Sequence, residues 1–92
     1  MPDPAAEEFW KLADSFINLA NEHYEKDGDG KVGYALLYAA ARFNAFIVAS
    51  TAGDQAELAA EKDPATDYFT EQYRKMFSEN LEDYQSNFDQ YL

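Results

Sequence analysis

From Tyr34 to Ala49 the chain carries only two strongly polar side chains, Arg42 and Asn44, and this segment constrains the fold more than any other. Such a run predicts a helix over about Gly33 to Ala52 that is apolar on most of its faces. A helix of that kind is one that other elements surround, so it predicts a buried central helix. Ala41, Ala45 and Ala49 stand one above the other at i, i+4 and i+8 and form a smooth ridge that lets a neighbouring backbone approach closely.

Two amphipathic segments flank it. The first follows Pro4 and reaches about Tyr24, with Phe9, Leu12, Phe16, Ile17 and Leu19 on one broad stripe. Glu7 and Glu8 sit in its first turn, where they favour the positive end of the helix dipole. The second carries Phe69, Tyr73, Met76, Phe77, Leu81, Tyr84 and Phe88 on one face and Glu71, Lys75, Glu79, Glu82 and Gln85 on the other. Asp63-Pro64 predicts its start, a capping acid followed by Pro at the first helical position, and Phe88 its end. Between Asp54 and Lys62 an Ala- and Glu-rich stretch predicts a short exposed helix or a helical extension. The expectation is therefore all-α: a single domain over 1–92 forming a three-helix bundle, with a possible short fourth helix between helices two and three.

Composition narrows the function classes. Eighteen acids against seven bases leave a formal charge of −11, which repels phosphate backbones and anionic headgroups and argues against nucleic-acid and membrane binding. The run 34–49 is shorter than a membrane span and contains Arg42. The N-terminal segment is acidic, the opposite of a signal peptide, so a soluble, cytoplasmic protein is expected. With no cysteine there is no disulfide framework, thiolate ligand or thiol nucleophile.

One string names a specific chemistry. Aligned on Gly30, the stretch from Glu25 resembles an EF-hand loop: Glu25, Asp27 and Asp29 fall on the first, third and fifth positions, and Lys31 offers a backbone carbonyl. The twelfth position, which needs a bidentate Glu, is Leu36. An acidic turn with two glycines is also what a helix-turn-helix connection requires. The turn is the preferred reading, with a feeble cation site at Glu25, Asp27, Asp29 and Lys31 as the alternative; no cofactor is expected.

Arg42 and Asn44 form a second constellation. A guanidinium in an apolar helix must find carboxylates or water, and Asp14, Asp67 and Glu71 are its candidate partners. The rival reading is a ligand seam between helices two and three, lined by Arg42, Asn44 and Tyr73. His23 is the only histidine and lacks the Glu three residues earlier that di-iron bundles use. No nucleophile motif or phosphate-cradling loop is present, so no enzyme is expected. Seven Phe, seven Tyr and one Trp exceed what the interior of one small bundle readily holds, which points to a protein interface and to self-association.

The strings Leu36-Leu37-Tyr38-Ala39-Ala40-Ala41-Arg42-Phe43-Asn44-Ala45-Phe46, Phe69-Thr70-Glu71-Gln72-Tyr73-Arg74-Lys75-Met76 and Asn80-Leu81-Glu82-Asp83-Tyr84 resemble a family of small acidic bacterial proteins of unknown function. The resemblance covers nearly the whole chain. It implies a bacterial cytosolic single-domain protein with no activity to carry over, and a segment 25–30 that need not be acidic. It also draws attention to Arg42 and Asn44, which lie inside the first string. The sequence thus favours a non-catalytic interaction or structural module, with weak calcium binding and a small-molecule seam at Arg42 as alternatives.

Overall fold

The computed structural model describes residues 3–28 and 30–92, with Asp27 described by its backbone alone. Four helices follow one another: α1 (Pro4–Asp27), α2 (Lys31–Thr51), α3 (Gln55–Ser86) and α4 (Phe88–Tyr91). The fold is all-α, and among the described residues there is no strand. The chain divides into two units, 1–46 and 47–92, with the division falling inside α2.

In the first unit, α1 begins where the sequence places it. Asp3 is in extended backbone, its carboxylate accepts from the Ala5 amide at 3.1 Å, and Pro4 supplies a first helical residue that has no amide to satisfy. The helix ends at Gly28. That residue takes a left-handed conformation, φ 65°, and its amide donates to the Tyr24 carbonyl at 2.7 Å. The left-handed region favours a residue without Cβ, so one glycine of the loop has a backbone role. α2 follows almost at once, and the Tyr34 amide donates to the Gly30 carbonyl at 3.4 Å.

The start of α3 corrects the expectation. Asp63-Pro64 does not open the helix; Pro64 lies within it, and the Ala- and Glu-rich stretch is the extension. The true start is a reciprocal cap. The Asp54 carboxylate accepts from the Glu57 amide at 2.8 Å, while Glu57 Oε2 accepts from the Gly53 amide at 2.7 Å. Two otherwise orphaned donors are thereby satisfied, as in a capping box. This outcompetes the Pro signal, although Pro64 offers no amide to the Ala60 carbonyl one turn back. The short fourth helix lies after α3, not before it. Asn87 interrupts the run, its amide nitrogen Nδ2 donating to the Asp83 carbonyl at 3.2 Å and to Asp83 Oδ1 at 3.0 Å.

Burial is the second correction. None of the described residues is buried, and α2 is no exception, with Phe43 63% and Phe46 62% exposed. Among the described residues of the first unit α1 and α2 do not pack against each other, while in the second unit α4 packs on α3. α2 is as apolar as its sequence indicates, but none of its residues is buried. By length and composition alone, α2 is also long and apolar enough to cross a bilayer, which the shorter run 34–49 did not suggest.

Candidate functional site

The residues picked out from sequence fall into three places. In the loop, Gly28 is the left-handed closing residue of α1 and Glu25 is an exposed residue of the helix's last turn. Asp29 and the side chain of Asp27, two of the four residues of the cation reading, lie outside the described residues. Among the described residues, no group of three or more His, Asp or Glu is placed to hold a metal ion.

Arg42 and Asn44 lie on α2. Arg42 is exposed and, among the described residues, makes no ion pair; the expected bridge to Asp14 is not formed. Glu71 instead faces Arg74 three residues along α3, at 3.9 Å. The guanidinium is exposed, and a long charged side chain that reaches solvent needs no carboxylate partner. Asn44 is half-buried. Two residues apart on a helix do not face one another, so Arg42 and Asn44 are not placed to grip one small ligand together.

Tyr73 stands on α3 and is the start of the best-developed surface feature. Its ring stacks on Phe77, centroids 5.7 Å apart and planes at 21°. One turn further lie Asn80 and Leu81, then Tyr84, all exposed. Asn80 lies four residues after Met76 and four before Tyr84, among the apolar members of the stripe. Its Nδ2 donates to the Met76 carbonyl at 2.8 Å, a back-bond within its own helix that leaves the amide oxygen unused. Beyond it, Tyr84 meets Tyr91 of α4 edge to face, centroids 5.0 Å apart. Asp83 ties this end together. It accepts from Asn87, and its charge, then its hydrogen bond, raises the Tyr91 phenol above its ordinary pKa.

A cleft of about 320 Å³ lies between the end of α2 and the start of α3 in the second unit, lined by Val48, Thr51, Ala52, Glu57, Ala60 and Glu61. Glu57 is engaged in the cap of α3, and the cleft gathers no set of convergent donors.

The arrangement is that of a small all-helical protein whose aromatic stripes stand open to solvent and whose polar residues serve caps and turns. The chain belongs to DUF3144, a family of proteins of unknown function, whose profile matches residues 9–85. It is similar to the protein NB7890A from Shewanella sp, whose structure was determined by NMR. The two are 32% identical, with 90% of this chain and 88% of that chain covered and a TM-score of 0.77. No curated protein matches the chain.

Proposed function

We propose that the chain is a non-catalytic interaction module whose apolar helix faces are covered by a protein partner. The observation that carries this reading is the exposure of α2 and of the α3 stripe. In a protein most helical stability comes from packing an apolar face rather than from the intrinsic propensity of the helix. Covering one large apolar side chain contributes about 1.5–3 kcal/mol, so stripes of five to seven such residues left in water forfeit most of what would hold the helices. With partner helices in place the fold becomes a helical bundle with α2 at its centre, the arrangement that its all-round apolar character demands.

Other occupants fit less well. Arg42 sits at the middle of α2, where a charge costs about 2.5–3.5 kcal/mol at the centre of a bilayer. The charge of −11 repels anionic vesicles and nucleic acid alike. The sequence offers no nucleophile motif, and the cap carboxylates of Asp3, Asp54 and Glu57 accept from backbone amides.

Two measurements on the intact chain test the proposal. Amide exchange in α2 is expected to slow as protein concentration rises, and the chain is expected to stay in the supernatant when vesicles of zwitterionic or anionic lipid are sedimented. Concentration-independent protection of α2, or recovery of the chain with the vesicles, overturns it.

A further inference from the structure

Where α4 packs on α3, aromatic faces and a carboxylate stand together in one corner. The rings of Tyr84 and Tyr91 meet at 68° with centroids 5.0 Å apart. At that angle each ring covers only part of the other, and the two residues remain 46% and 54% exposed. Asp83 belongs to the corner by contact and not merely by its place in the sequence. Its Oδ1 accepts from Asn87 Nδ2 at 3.0 Å, and its carboxylate also accepts from the Tyr91 hydroxyl. The acid therefore lies at the edge of the Tyr91 ring.

Positive charge is what this corner lacks. A carboxylate offers about four acceptor sites, and Asn87 and Tyr91 occupy only part of that capacity. Both donors are neutral, and no basic side chain of the second unit pairs with Asp83. Residues 76–92 hold four acids, Glu79, Glu82, Asp83 and Asp89, and no base. Glu79 lies one turn before Asp83, on the same side of α3. A charged ligand for this corner is therefore a cation. A metal ion needs several oxygen ligands, and among the described residues no group of three or more acids is placed to supply them. An ammonium is a compact, strongly hydrated point charge. A guanidinium is planar and weakly hydrated, lies against an aromatic face and presents N–H groups along its edge. Stacked on either tyrosine, it donates from that edge to Asp83.

We propose that the corner formed by Asp83, Tyr84 and Tyr91 receives an arginine side chain from a basic segment of a partner protein. Glu79 takes a second base of the same segment, and the formal charge of −11 draws the segment in. This goes beyond the covering of α2, which takes no part in the corner.

The test is a titration of the intact chain with a short arginine peptide, its ends blocked, followed by NMR of the tyrosine rings and backbone amides. A lysine peptide of the same length and acetyl-arginine amide serve as comparisons. Saturable shifts at Asp83, Tyr84 and Tyr91 are expected, with the arginine peptide about two- to fivefold tighter than the lysine peptide. Tyr84→Leu keeps the stripe apolar but removes a ring face. Asp83→Asn keeps an acceptor for Asn87 but removes the charge. Each is expected to weaken the arginine peptide about two- to fivefold with helical circular dichroism retained. Equal binding of the two peptides, with shifts spread over the acids of every helix, overturns the proposal. So do two variants that bind the arginine peptide as the native chain does. Acetyl-arginine amide that binds as tightly as the peptide assigns the corner to a small molecule and overturns the partner segment. Each of these failures leaves the reading of α2 standing, because that reading is tested by the protection of α2 and its dependence on protein concentration.

Discussion

Asn80 Nδ2 lies 2.8 Å from the Met76 carbonyl, so the amide midway between Met76 and Tyr84 on α3 is anchored to its own helix. A polar group held this way, in the centre of an apolar surface, gains nothing in a lone helix, where water would serve as well. Replacing it with an apolar side chain gives the first prediction.

Asn80→Leu is expected to tighten self-association. Covering a leucine contributes about 1.5–3 kcal/mol, which corresponds to roughly tenfold or more in the dissociation constant. Sedimentation velocity of the two proteins side by side reads the effect.

The two glycines that flank the first turn are expected to respond in opposite senses. Gly28 has φ 65°, and Gly28→Ala forces a side chain into the left-handed region at a cost of roughly 1–2 kcal/mol. Gly33 lies inside α2 with open space where a Cβ would go, and Gly33→Ala is expected to stabilise by about 0.5–1 kcal/mol. Urea unfolding followed by circular dichroism distinguishes them. Equal and opposite shifts in midpoint are not required; a stabilised Gly28→Ala would contradict the assigned turn.

Tyr91 supplies the pH dependence. Its folded pKa is raised by Asp83, so the neutral phenol is the form that the contact with α3 favours. The contribution is full below the ordinary phenol pKa and is lost as pH rises through the raised value. An alkaline titration of tyrosinate absorbance is therefore expected to show one group titrating late in the native chain. Asp83→Asn removes that late step, and Tyr91→Phe removes both the step and its effect on the α4 contact.

Much of this architecture was legible in the residues themselves. Pro4 marks the start of α1 and the glycine-containing stretch from Asp27 to Gly30 its end, because these are local needs that a few residues state openly, whereas the apolar stripe alone stops at about Tyr24, three residues short of the end of the helix at Asp27. α2 was placed to within about two residues by its apolar run. The start of α3 was misplaced because Asp63-Pro64 is a conspicuous signal, whereas Asp54 and Glu57 announce themselves only as a pair three residues apart. A stripe is traced through its apolar members, so the polar Asn80 lying between them carries no signal of its own. The burial of α2 could not be read from its composition. Apolar residues state that a face needs covering, but they do not say whether the cover comes from the same chain or from another.

That question is settled most directly by the mass of the intact chain in solution, measured by light scattering across a range of concentrations. The account predicts a particle heavier than the 10.5 kDa chain that dissociates on dilution and is shifted towards monomer by Met76→Glu. A particle of 10.5 kDa at every concentration, with the amides of α2 protected throughout, would contradict it.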